Sequence, residues 1–230
     1  MENIRAILFD KDGTLFDFQA TWGQWARSLL SELSGGDVDV QRAMADVIAF
    51  DWDTAKFRPD SPAIAGTGGE VAMLLAPLAP HLDVDTVQTR IAQAASMAPL
   101  APAVPLRPLL EDLRASGYKL GVATNDYESV ARDHVIDIVD LFDFIAGFDS
   151  GHGGKPEPGM LLAFAAQCQL PPDAVLMVGD SCHDLLAGKA AGMPTLGVLT
   201  GVATQSDLAP FADIVRPDIG HLRALLLKSH

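Results

Sequence analysis

Residues 7–16 read ILFDKDGTLF, an apolar run that ends in two aspartates flanking a lysine and then a Gly-Thr pair. The apolar part, residues 4–9, has the length and character of a buried strand, so the charge stands where the strand stops. Side chains along a strand alternate with a period of two, which predicts Asp10 and Asp12 on one side and Lys11 on the other. Lys11 is therefore expected to point away from the site the acids form. Its stem would be packed and its ammonium would lie at solvent or against a carboxylate, on a side that is not wholly buried.

Five more strand-like runs follow at 118–124, 144–147, 175–178, 195–199 and 213–215. Helical patterns stand between them at 108–116, 159–168, 184–191 and 222–227, with Pro108 suited to a first turn and Gly117 and Gly192 to helix ends. Alternation of this kind predicts an α/β fold, a mainly parallel sheet between layers of helices. Residues 16–98 have a different texture, with helical stripes and no convincing strand. Phe18, Trp22, Trp25, Leu29 and Leu33 share one face, and shorter stripes follow at Val40, Met44, Val47 and Ile48, at Val71, Leu74 and Leu75, and at Val84, Val87, Ile91 and Ala94. Four helices predict a small bundle inserted into a sheet domain made of residues 1–15 and 99–230. The Pro-rich stretch PLAPAVPLRP, residues 99–108, reads as the stiff return connection.

A chain of 230 residues with 49% hydrophobic side chains buries a substantial core. Its formal net charge of −14 argues against nucleic acid as a partner, because that binding depends on clustered Lys and Arg. No apolar run is long enough to span a bilayer and no leader pattern opens the chain, so no membrane partner and a cytoplasmic location are expected. Cys168 and Cys182 have neither a disulfide nor a zinc spacing. Oligomeric state is not legible.

In open parallel sheets, ligands gather beyond the C-terminal strand ends. Asp10 and Asp12 stand there, as do Thr124, Asn125 and Asp126, then Asp180 with Asp184 four residues on, and a Gly-rich loop at 149–154 leads into Lys155. One such aspartate is an ordinary cap; four carboxylates on one edge repel one another unless a cation intervenes. Hard oxygen donors without a His or Cys cluster favour Mg²⁺. With Lys155, a Thr124 hydroxyl and the amides of the turn at Asp12, Gly13 and Thr14, the constellation describes a phosphoryl site. One aspartate can take the phosphoryl group while a second exchanges protons with leaving alcohol and water.

The motifs FDKDGTL, VATN, GGKPEPG and MVGDSCHD, in this order, resemble those of the haloacid dehalogenase superfamily, and the likeness covers nearly the whole chain. It implies a Rossmann-like core with a helical cap inserted after the first motif. It also implies Asp10 as nucleophile and metal ligand, and Asp12 as general acid and base and as a ligand through its backbone carbonyl. Thr124, Asn125, Gly13 and Lys155 would bind phosphate. Asp180 and Asp184 would complete the metal shell, Asp184 supporting it or orienting Lys155. FDSGHGGKPEPGM with DKDGTLFDF most resembles the phosphoglycolate phosphatase branch, which implies a small-molecule phosphomonoester, 2-phosphoglycolate among the choices. A sugar phosphomutase and a non-catalytic phosphometabolite binder share the architecture. In the cap, Arg58 lies in KFRPDSPAIAGTGG, a stretch with little helical pattern, and its guanidinium suits a substrate carboxylate. His152, His183 and Cys182 have no role that the acids and Lys155 leave empty.

Overall fold

The structure, a computed structural model, describes residues 3–226. Two compact units divide the chain: one runs to Asp17 and resumes at Pro102, and the other is Phe18–Ala101. The first opens with β1 (Ala6–Phe9), all four residues of which are buried.

The second unit holds α1 (Phe18–Leu33), α2 (Val38–Val47), β2 (Phe50–Asp51), β3 (Lys56–Phe57), α3 (Pro62–Ala65), α4 (Gly68–Leu75) and α5 (Val84–Ser96). All five members of the first aromatic and leucine stripe are buried on α1. Asp37 caps α2, and Thr67 with Glu70 forms a capping box on α4, each satisfying N–H groups that a helix start leaves open. Two features differ from the sequence reading. Strands β2 and β3 pair antiparallel through Phe50 and Phe57, whose rings lie 4.9 Å apart, and α3 occupies part of the stretch read as non-helical. Two-residue strands are too short for alternation to register, and Pro62 behind the Ser61 cap starts a helix of one turn. Val47, Leu74 and Val84 are exposed, whereas the smaller Ala45 and Ala72 are buried.

The first unit resumes with α6 (Leu106–Ala115), β4 (Lys119–Ala123), α7 (Glu128–His134), β5 (Phe144–Ala146), α8 (Gly159–Gln167) and β6 (Val175–Gly179). Then come α9 (Cys182–Ala191), β7 (Thr195–Val198), α10 (Gln205–Leu208), β8 (Ile214–Arg216) and α11 (Leu222–Leu226). The expected end of the last helix, Leu227, lies outside the described residues. Helices α7 and α10 were not foreseen; both are too short to carry a repeating stripe. The six strands form one parallel sheet in the order β5-β4-β1-β6-β7-β8. This is the α/β, Rossmann-like fold expected from the strand and helix alternation. Ala6 and Leu8 pack on one face with Met160, Phe164 and Met177, while Ile7 and Phe9 are buried on the other. A strand dry on both faces needs an uninterrupted apolar run, which explains the composition of β1. Among the described residues no helix is long and apolar enough to cross a membrane.

Candidate active site

Strand register brings the site together. β1 lies between β4 and β6, and Phe9 is level with Val122 on one side and Val178 on the other. One residue further, Asp10 stands beside Ala123 and Gly179, with Thr124 and Asp180 just beyond. The chain runs from β1 to β4 and β5, then returns to the other side of β1 for β6. Asp10 and Asp180 therefore flank the point where the strand order reverses, the usual location of a ligand crevice.

Asp10, Asp180 and Asp184 are all buried, and each offers a carboxylate oxygen within 4.8 Å of the others. Lys155 enters this group with Nζ 2.5 Å from Asp10 Oδ1, 2.6 Å from Asp184 Oδ1 and 2.8 Å from the Ala123 carbonyl oxygen. Burial pushes the Asp10 carboxyl up to about 7, with Asp184 and Asp12 adding to the rise and Lys155 opposing it. Burial likewise raises the Asp180 carboxyl well above the ordinary range, reinforced by Asp10 and Asp184. Burial by itself would lower the pKa of Lys155, yet Asp10 and Asp184 beside it hold its ammonium above the usual lysine value. Three carboxyl groups share one ammonium, and the raised pKa values of Asp10 and Asp180 mark the cost of ionising all three without a further cation. Their hard oxygens, gathered from two adjacent strand ends and one helix, fit a small divalent cation.

Asp184 is held from its other oxygen. Oδ2 accepts hydrogen bonds from the Ser181 amide at 3.0 Å and the Ser181 hydroxyl at 2.7 Å, the capping box at the start of α9. Thr124 is buried, and its hydroxyl accepts from the Asp126 amide at 3.1 Å. Asn125 uses both ends of its side-chain amide on the backbone of Lys155: Nδ2 donates to the Lys155 carbonyl at 2.9 Å and Oδ1 accepts from its N–H at 2.8 Å. Asn125, expected to bind phosphate, uses its side chain to clamp the loop that delivers the lysine.

Three expectations are corrected. The Asp12 carboxylate, expected on one edge with the other acids, lies outside the three-carboxylate group and pairs with Lys11, whose Nζ is 2.8 Å from Oδ2; the ligand role expected of the Asp12 backbone carbonyl is separate from this pairing. Lys11 avoids that group, but alternation does not keep it from Asp12, because the regular strand ends at Phe9. Beyond it the chain coils into a tight turn in which the Lys11 carbonyl accepts from the amides of Leu15 at 2.9 Å and Phe16 at 3.2 Å. The lysine itself is fully buried, and its ammonium lies against the partly exposed carboxylates of Asp12 and Asp126, one of the two places expected for it, with His134 as a further partner. Gly13, expected to offer its amide to phosphate, donates it to the Phe16 carbonyl at 2.7 Å, since the turn satisfies its own polar groups. The glycine is needed for space and for its φ of +82°: a Cβ there would come 2.3 Å from Asp180 Oδ2.

Gly201 presses on Asp180 from another side, where a Cβ would come 1.7 Å from Oδ2. Its neighbour Thr200 donates its hydroxyl to the Gly13 carbonyl at 2.6 Å. These two follow β7, so the same strand-end rule that found the acids reaches them too. His134 and the Asp126 side chain carried no such signal. Arg58 lies in the second unit just after β3, half-exposed, with its amide on the Ala49 carbonyl at 2.8 Å and Asp60 at 3.8 Å from its guanidinium.

Residues 4–192 match the model of the haloacid dehalogenase-like hydrolases. A phosphoglycolate phosphatase of Salmonella paratyphi A is 37% identical over 229 residues, covering 87% of this chain and 83% of that protein. Among solved structures, one described as a phosphoglycolate phosphatase from Haemophilus somnus superposes with a TM-score of 0.71 at 19% identity, covering 98% of this chain and 99% of its own. One described as a β-phosphoglucomutase from Thermotoga maritima superposes with a TM-score of 0.72 at 20% identity, covering 97% and 98%. At these identities the two structures speak for the fold, whereas the matched stretch contains Asp10, Thr124, Lys155, Asp180 and Asp184. The chain belongs to the haloacid dehalogenase-like hydrolase family.

Proposed function

We propose that this hydrolase is a phosphatase that cleaves small-molecule phosphomonoesters through an aspartyl phosphate on Asp10, with Mg²⁺ as its metal and 2-phosphoglycolate as its substrate. The observation that carries the reading is the Lys155 ammonium, 2.5 Å from Asp10 Oδ1 inside a buried group of three carboxylates. A phosphoryl group brings further negative charge to a carboxylate nucleophile, and a fixed ammonium at that carboxylate offsets it.

Asp10, Asp180 and Asp184, with the Asp12 backbone carbonyl, would hold Mg²⁺, which when bound neutralises charge on the phosphoryl oxygens. Thr124 and Lys155 orient those oxygens, and Asn125 keeps Lys155 in place. An Asp10 oxygen forms a bond to phosphorus as the bond from phosphorus to the leaving oxygen breaks, and the Asp12 carboxyl gives its proton to that oxygen. Asp12, now a carboxylate, takes a proton from water. The water oxygen bonds to phosphorus, the bond to Asp10 breaks, and inorganic phosphate leaves.

The likeness to a phosphoglycolate phosphatase at 37% identity supports the substrate, and Arg58 is proposed to meet its carboxylate. The test is phosphate release from 2-phosphoglycolate, sugar phosphates, nucleotides and p-nitrophenyl phosphate, with Mg²⁺ and with chelator. Mg²⁺-dependent release, fastest from 2-phosphoglycolate, is expected. Interconversion of sugar phosphates without phosphate release would make the chain a mutase, and binding without turnover a sensor. Arg58→Ala is expected to raise KM for 2-phosphoglycolate and spare p-nitrophenyl phosphate; equal loss on both removes Arg58 from substrate recognition.

A further inference from the structure

Lys11 is a fully buried lysine that the reaction above does not use. Its Nζ lies 2.8 Å from Asp12 Oδ2, 3.1 Å from Asp126 Oδ2 and 2.9 Å from His134 Nδ1. An ammonium has three donors, and here three partners stand around it. They come from separate places: Asp12 from the turn after β1, Asp126 from the loop after β4, and His134 from the last turn of α7.

Burying an ammonium costs several kcal/mol before its partners repay it, and an apolar side chain would fill the same space without that cost. A reason for the charge is therefore to be sought in what it holds. Asp126 and His134 belong to the first unit's framework, while Asp12 is the proton carrier in the proposed reaction. Asp12 is also two residues from Asp10, close enough that its charge adds to the rise in the Asp10 pKa. Lys11 gives the Asp12 carboxylate a fixed partner at 2.8 Å, and Asp126 and His134 brace Lys11 in turn.

We propose that Lys11, braced by Asp126 and His134, is a positioning residue that sets the orientation of the Asp12 carboxyl for proton exchange with the leaving-group oxygen. The inference rests on the phosphatase reading. It carries a signature that a filler of the core would not have, because a misdirected general acid harms only substrates whose leaving group needs the proton. An alkoxide needs it; p-nitrophenolate leaves without it.

The experiment compares kcat/KM, which reports phosphoryl transfer to Asp10, for the best alkyl phosphomonoester of the panel and for p-nitrophenyl phosphate. Lys11→Met is expected to lose about 100-fold on the alkyl ester, the scale of a small misplacement of a catalytic group, and to stay within about threefold on p-nitrophenyl phosphate. Because Lys11→Met leaves the Asp12 and Asp126 carboxylates without their cation, the double variant Lys11→Met/Asp126→Asn, which removes one charge of each sign, is measured beside it. Circular dichroism and thermal melts establish which variant is folded. A folded variant that loses equally on both substrates, or loses on neither, overturns the positioning role while leaving the phosphatase standing. A wild-type protein that releases phosphate from nothing overturns the phosphatase reading and the role of Lys11 with it.

Discussion

Two buried lysines stand on either side of the β1 terminus, and they do different things with the same chemistry. Lys155 joins Asp10 and Asp184 in a group where carboxylates outnumber ammonium three to one. Lys11 joins Asp12 and Asp126, with His134 Nδ1 as a third partner, so two carboxylates there share one ammonium. The first group is built to accept a further cation and an anionic ligand; the second is built to stay closed. Asp10 and Asp12 are two residues apart in sequence, yet they belong to different charge networks. That division suits a nucleophile that must meet charge and a proton carrier that must be kept from its neighbours.

The comparison breaks first at the nucleophile. Asp10→Asn removes the attacking oxygen's charge and is expected to lower kcat by about 10⁴-fold or more on every substrate, whichever leaving group is used. Asp12→Asn should spare p-nitrophenyl phosphate by comparison in kcat/KM, and steady-state assays of both variants on one batch of substrate check the order. If Asp12→Asn were the more damaging on p-nitrophenyl phosphate, the two networks would have been assigned the wrong way round.

A smaller effect separates the two lysines by stability. Lys155→Met leaves buried carboxylates without their ammonium and is expected to cost about 3–5 kcal/mol in urea melts; Lys11→Met, whose carboxylate partners are partly exposed, is expected to cost less. Added Mg²⁺ should restore much of the loss in Lys155→Met, because the orphaned oxygens are the proposed ligands and a cation bound only by the folded state stabilises it. Lys11→Met should gain no more from Mg²⁺ than the wild type does. Equal recovery in both would mean that the metal reads overall charge and not the group at Asp10, Asp180 and Asp184.

The smallest expected effect sharpens the role of Asn125. Its two hydrogen bonds to the Lys155 backbone contribute about 1 kcal/mol each, so Asn125→Ala should destabilise the fold by about 2 kcal/mol. The same variant should lower kcat/KM for p-nitrophenyl phosphate by about tenfold as the lysine loses its register. A loss of stability with unchanged kinetics would show the clamp to be structural only.

Much of this was legible residue by residue. The apolar runs 4–9, 118–124 and 175–178 became the central strands β1, β4 and β6, because a strand buried on both faces has to be apolar throughout. Aspartates placed straight after such runs then had to meet at one edge. The hairpin of β2 and β3 escaped notice because two-residue strands carry no period. Asp12 was misplaced because the alternation of β1 was carried into a turn that does not obey it. Gly13 was read as a donor of amides, when the turn consumes its N–H and Asp180 needs its missing side chain. His134 sits 123 residues from Lys11 in sequence, and nothing local in either neighbourhood connects them.

By itself the sequence determined the fold class, the parallel order of strand and helix, and the family, because these depend on periodicity and on motifs at strand ends that are properties of short segments. Tertiary structure decided which charges share a network. Parallel register set Asp10 level with Gly179 and next to Asp180, and the turn after Phe9 sent Asp12 to Lys11 and away from the other acids. Partnership between buried charges is a matter of distances of about 3 Å, the range in which a hydrogen bond forms, and no spacing along the chain encodes them once the strand has ended.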